Sequence, residues 1–116
     1  MSPHDPNCLF CKIIAGQIPS KKVYEDGQLF AFHDIHPWAP VHVLIVPKVH
    51  IAAMTEVGDE HADVLGRMAV LGPTLMRELG VKNGFRTVIN TGPDGGQEVY
   101  HVHMHVMGGP RPWLKG

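Results

Sequence analysis

A chain of 116 residues has room for one two-layer core and not for two, so a single domain over 1–116 is expected to hold any site. The apolar share of 44% is ordinary, the charged share of 18% is low, and ten basic against eleven acidic side chains leave a formal net charge of -1. That balance excludes the basic footprint of a standing nucleic-acid partner, and nine histidines against two cysteines is the unusual count.

The start, Met1 to Asn7, has neither a basic n-region nor an apolar h-region, and the longest apolar run, Val43 to Val46, is too short for a bilayer. No membrane association and a cytoplasmic location are therefore expected. Leu9 to Gly16 reads as a short helix ended by Gly16 and then Pro19. Cys8 and Cys11, three apart, would share its face, and they would close too small a loop for a secreted disulfide scaffold. Lys22–Glu25 and Leu29–Phe32, separated by Asp26-Gly27, read as a hairpin with a tight primed turn. Its second arm ends at His33-Asp34. Pro37 and Pro40 break the next stretch into a loop, after which Val41–Val46 forms a buried strand stopped by Pro47.

From Asp59 to Leu79, apolar residues recur at three and four (Leu65, Met68, Leu71, Leu75, Leu79), the pattern of a helix with one buried face. Pro73 is expected to bend it by removing a backbone donor and crowding the carbonyl of Ala69, and Gly80 is a natural C′ residue. Phe85–Asn90 and Val99–Met107 read as two further strands, joined by the turn-rich Thr91 to Gly96. There is no internal repeat or low-complexity tract.

The chemistry concentrates in Tyr100-His101-Val102-His103-Met104-His105-Val106-Met107. Strict alternation puts three imidazoles on one face of a strand and Val102, Met104 and Val106 on the other, toward the core. Same-face neighbours lie roughly 6–7 Å apart, so one ion with Zn–N bonds of about 2 Å would take two of them but hardly three. A plain three-histidine metal site is disfavoured. Neutral imidazole is a competent nucleophile toward phosphorus, and charged imidazole donates to phosphate oxygens. A row of them therefore suits phosphoryl or nucleotidyl transfer. His105 is placed to donate to a nonbridging oxygen, while the Gly92 to Gln97 turn offers an anion nest, with Gly96 inside it and the Gln97 side chain as a donor near the leaving group.

His101-Val-His103-Met-His105-Val-Met107 resembles the histidine triad motif, in which three histidines alternate with apolar residues. Gly95-Gly96-Gln97, Gly108-Gly109, Ala31 to Ile35 and Ile45 to Lys48 resemble its nucleotide-binding (Hint) branch in particular, over roughly Cys8 to Gly109. The resemblance implies an α+β fold: a five-stranded antiparallel sheet with one long and one short helix, pairing into a ten-stranded sheet across a homodimer. It also implies that His103, the middle histidine, attacks to form a nucleotidyl-histidine that water then hydrolyses. The substrate would be a purine nucleotide or nucleoside phosphoramidate, with Asp34 on the ribose hydroxyls, Asn90 beside the sugar and phosphate, and Phe10, Ile13, Phe32 and Ile35 around the base.

Cys8-x-x-Cys11 is half of a zinc site, and a closed tetrahedral site needs two more ligands that the sequence must supply as histidine. Family members that keep this pair resemble the chain in binding structural zinc with the histidines at His50 and His101. A redox dithiol and two inert cysteines are the competing readings. The remaining histidines, His4, His33, His36, His42 and His61, are assigned to surface or packing. Two departures stand out: Glu98 replaces the serine that many Hint relatives carry two residues before Tyr-His-Val-His, and Trp113 does not align cleanly with the C-terminal tryptophan of some relatives. Competing functions are dinucleoside polyphosphate hydrolysis and a non-catalytic nucleotide-binding zinc protein.

Overall fold

The computed structural model of the chain describes residues 4–114. Helix α1 (Leu9–Ile14) opens on Cys8, whose sulfur accepts from the Cys11 amide. Strands β1 (Lys22–Glu25) and β2 (Leu29–His33) form the expected hairpin. Its turn is not a primed one, because Gly27 does not take the positive φ that such turns require. The Asp26 carboxylate closes the loop instead, its Oδ1 accepting from the amides of Gln28 and Leu29 at 2.8 Å each.

Strand β3 (Val41–Pro47) pairs antiparallel with β2. Two short 3-10 turns, Met54–Glu56 and Asp59–His61, lead into helix α2 (Ala62–Glu78). The helix thus starts three residues later than expected, since a 3-10 turn occupies 59–61. It runs unbroken through Pro73, whose missing N–H falls opposite the exposed Ala69, where water can serve the carbonyl. Gly80, at φ 85°, closes it as a Schellman motif: its N–H donates to Arg77 O and that of Val81 to Met76 O.

Strands β4 (Phe85–Val88) and β5 (Met104–Gly108) complete a five-stranded antiparallel sheet in the order β1-β2-β3-β5-β4. Both are shorter than the expected Phe85–Asn90 and Val99–Met107. Period-two alternation then sorts the sheet's two faces. Leu29, Ala31, Val43, Ile45, Val102, Met104 and Val106 pack against Met68, Leu71, Leu75 and Met76 of α2. Phe30, Phe32, Leu44 and Val46 pack on the opposite face against Cys8, Phe10, Cys11 and Ile13 of the α1 region. The second face carries the site. Among the described residues, no helix is long and apolar enough to cross a membrane.

Candidate active site

Only His105 of the three alternating histidines stands inside β5; His101 and His103 lie in the segment that leads into it. The expected continuous strand fails at 99–101, where the His101 amide turns back to Val99 O at 3.0 Å and leaves the ladder. Val102 is then held by Ile51 O at 2.7 Å, and regular pairing begins with Met104 opposite Ile45. The apolar partners Val102, Met104 and Val106 nevertheless reach the core as the alternation requires.

The break separates the histidines into two groups. His101 is fully buried, and its Nε2 donates to Pro47 O at 2.7 Å. A neutral imidazole has one N–H, so Nδ1 is left as a lone pair. It lies 3.3 Å from Cys8 Sγ, 3.6 Å from Cys11 Sγ and 3.2 Å from His50 Nδ1, and Cys11 Sγ is 3.6 Å from that same His50 nitrogen. All four ligand atoms fall within 4.8 Å of one another. A tetrahedron with Zn–N and Zn–S bonds of about 2.0 and 2.3 Å has edges of roughly 3.3–3.8 Å, so the donor set fits that ion in spacing and chemistry. Amides of Asp5 and Cys11 point at the two sulfurs at 3.4 Å. Without a cation, burial pushes the Cys11 thiol up to about 11 and the His101 imidazole down to about 4.

His103 belongs to the other group. Its Nδ1 donates to His101 O at 2.7 Å, which leaves Nε2 as the free lone pair. Among the described residues that nitrogen has no hydrogen-bond partner, and it is not sealed from solvent although the residue is 6% exposed. The Phe10 and His103 rings meet in a T-shaped contact, with centroids 5.0 Å apart and planes at 89°. Burial lowers the His103 pKa, against the pull of the His101 carbonyl and of Asp34 and Glu98, so the ring is held neutral.

His105 faces it, with ring centroids 5.0 Å apart. Its Nδ1 lies 2.9 Å from Nε2 of His42, whose own Nδ1 accepts from the Trp38 amide at 3.0 Å. Burial, reinforced by His103 and His42, pushes His105 down to about 4, with Asp34 opposing. His42 was read from sequence as surface or packing; at 2% exposure it is not a surface residue, and its packing is against a triad histidine. The signal was available, because His42, Leu44 and Val46 alternate with the core residues Val43 and Ile45 and so fall on the site face.

The other expected residues are distributed unevenly. Asp34 follows β2, with Oδ1 accepting from the His36 amide at 2.8 Å and Oδ2 3.5 Å from His42 Nε2, so the carboxylate lies at the edge of the His42–His105 pair. Phe10, Ile13 and Phe32 are buried together on the site face, but Ile35 is 82% exposed and does not join them. Gln97 is not a free donor: its Nε2 donates to Ala52 O and Val99 O at 2.8 and 3.0 Å, and its Oε1 accepts from the Gly92 amide at 3.0 Å. The amides of Gly95, Gly96 and Gln97 also bond inside the turn, which argues against an anion nest there. Asn90 pins the same turn through Gly95 O at 2.9 Å, close by Gly96. Glu98 is exposed, yet its carboxylate is near enough to His103 to act on that ring electrostatically.

Comparison with known proteins gives this constellation a context. Residues 15–111 match the HIT domain. Protein HitA of Neisseria gonorrhoeae is 49% identical over 104 residues, 90% of this chain and 97% of that protein. Adenylylsulfatase HINT1 of Arabidopsis thaliana is 43% identical over 110 residues, 93% of this chain and 75% of that one. The 14 kDa zinc-binding protein of Brassica juncea is 45% identical over 103 residues, 87% and 91% of the two chains. Among solved structures, a HIT family hydrolase from Legionella pneumophila superposes with a TM-score of 0.87 at 45% identity, covering 90% of this chain and 95% of that one. A Zn-bound histidine triad family protein from Mycobacterium smegmatis does so at 0.78 and 33%, covering 88% and 74%. With a matching fold, a matching domain and its three alternating histidines around a solvent-reached imidazole, the chain belongs to the histidine triad family and is a HIT-type hydrolase.

Proposed function

We propose that the protein hydrolyses purine nucleoside phosphoramidates, or related adenylyl conjugates, to the nucleoside 5′-monophosphate through a nucleotidyl-histidine on His103. The observation that carries this reading is the His103 ring itself, whose Nδ1–H is spent on the His101 carbonyl while Nε2 is bare and reaches solvent. In the first step a bond forms from Nε2 to the α-phosphorus while the P–N bond breaks, and the leaving amine takes up a proton from solvent as it departs. In the second, water adds its oxygen to phosphorus, the bond to Nε2 breaks, and a proton is released. Burial favours the neutral, nucleophilic form of the free ring; while it carries the nucleotidyl group on Nε2 and its proton on Nδ1 the ring is positively charged, and the second step restores it to neutrality.

His105 supports both steps. With its Nδ1 facing His42, its N–H lies on Nε2 and is available to a nonbridging oxygen. Asp34 keeps lone pairs for the adjacent hydroxyls of a ribose, Phe10, Ile13 and Phe32 form the apolar wall for the base, and Ile35 would reach it from the rim. Gln97, Gly96 and Asn90 act by holding the turn ahead of the triad. The name of the Arabidopsis relative supports an adenylyl substrate with a leaving group that is not a nucleotide.

Cys8, Cys11, His50 and His101 would hold a zinc ion, which when bound supplies a structural tie between α1, the loop after β3 and the triad. Its charge would also stabilise the thiolates. The zinc named for two relatives supports this reading. A homodimer, an absence of nucleic acid among the partners and a cytoplasmic location with both thiols reduced complete the proposal. Incubation of wild type and His103→Asn with adenosine 5′-phosphoramidate tests it: AMP release by the wild type alone is expected. Equal inactivity of both proteins on this substrate, with turnover of a dinucleoside polyphosphate, would overturn the substrate assignment.

A further inference from the structure

We propose that Trp38 is a positioning residue for His105, holding that imidazole in one tautomer through its backbone amide and in one plane through its indole. The inference rests on the phosphate-donor role given to His105 above. Trp38 lies half-buried in the loop between β2 and β3, flanked by Pro37 and, after Ala39, by Pro40, and the two rings restrict the backbone there.

The amide acts first. It donates to His42 Nδ1 at 3.0 Å, which forces the single proton of a neutral His42 onto Nε2. That N–H points to His105 Nδ1 at 2.9 Å, which forces the His105 proton onto Nε2 in turn. Nε2 is the His105 nitrogen that has no partner among the described residues and is not sealed from solvent. Were the order reversed, the free nitrogen would present a lone pair to a phosphate oxygen and repel it. The chain of three groups thus converts a backbone amide into a correctly placed donor.

The indole acts second. It lies nearly parallel to the His105 ring, at 11° with centroids 6.0 Å apart, and meets His42 edge-on at 5.9 Å, offset geometries that favour both contacts. Rotation of the His105 ring out of this plane loses the stack. The loop is itself anchored by the C-terminal segment: the Leu114 amide donates to Trp38 O at 2.8 Å, and the Trp113 indole donates to Gly109 O at 3.0 Å under the Arg111 guanidinium.

Trp38→Ala and Trp38→Phe, each compared with wild type, test the assignment by two readouts. Imidazole nitrogen shifts from long-range proton–nitrogen NMR, with His105 assigned through His105→Gln, report the tautomer without any substrate. Wild type should show His105 as the Nε2–H form, and so should Trp38→Ala and Trp38→Phe, which keep the backbone amide, whereas Trp38→Pro, which lacks that N–H, should show a mixture of both tautomers. In turnover of adenosine 5′-phosphoramidate, Trp38→Ala should lose about tenfold to a hundredfold in kcat with KM within about twofold, and phenylalanine should restore most of it. A wild-type His105 carrying its proton on Nδ1, a Trp38→Pro protein that keeps the single Nε2–H tautomer, or a Trp38→Ala protein with unchanged kcat overturns the inference. Wild type that turns over no adenylyl conjugate refutes the hydrolytic assignment instead, while the tautomer still decides the role of the Trp38 amide; should the alanine variant fail to fold, Trp38→Leu, which keeps bulk without an aromatic ring, replaces it in the kcat comparison.

Discussion

Acidification should destabilise this protein through His105 by an amount that the structure sets. In the fold its pKa is pushed to about 4, chiefly by burial, whereas in the unfolded chain it returns to about 6.5. The neutral ring is the one the fold favours, so the unfolded state binds more protons between these values, and stability falls as pH falls. The contribution is fully present above about pH 6.5, declines through the window, and is exhausted below about pH 4. At pH 4.5 the linkage relation gives a loss of about 2–3 kcal/mol from this ring. Urea unfolding of wild type and His105→Gln at pH 7 and pH 4.5 measures it, since glutamine does not titrate and the double difference cancels other acid-sensitive groups. The variant should lose less stability on acidification by about that amount. Parallel losses in the two proteins would show that His105 titrates alike in folded and unfolded chains and would refute the burial argument.

Metal removal should give a second signature. Native protein should carry about one zinc per chain, and dialysis against a chelator should lower the melting temperature, as expected when a ligand specific to the fold is removed, about 2.7 kcal/mol for a site at hundredfold saturation. Cys8→Ala should contain no zinc and show no chelator effect; native protein without zinc contradicts the assignment. Gly95→Ala should damage the turn ahead of the triad, because an added Cβ would collide with the Thr91 backbone. A cost of about 1–3 kcal/mol and a fall in kcat/KM are expected in urea unfolding and in steady-state turnover of the phosphoramidate, and a variant unchanged in both would show that the turn can open at no cost.

Much of this architecture was legible in the residues because burial imposes period. Lys22–Glu25, Leu29–Phe32 and Val41–Val46 could hardly be anything but strands once Asp26-Gly27 and the prolines had marked their ends, and the three-and-four spacing from Leu65 to Leu79 located α2. The primed turn was misread because Asp26 offers a competing closure: its carboxylate satisfies two amides and removes the need for a left-handed glycine. The triad alternation was correct about the core and wrong about the strand. His101 answers to Cys8, Cys11 and His50, and meeting them bends the chain at 99–101, a tertiary demand that local period does not show. Gln97 was read as a donor toward substrate from its neighbourhood, but three backbone groups claim its amide. The partnership of His42 with His105 depends on the register of Leu44 against His105 across two strands distant in sequence.

The central claim is tested most directly by rapid acid-free quenching of the wild type with an adenosine 5′-phosphoramidate, followed by peptide mapping of the adenylyl group by mass spectrometry. The mass of one AMP moiety should appear on the peptide containing His103, with fragmentation placing it on that ring and no label in His103→Asn. A label on His101 or His105, or turnover with no covalent adenylyl-protein at any time, would contradict nucleophilic attack by His103.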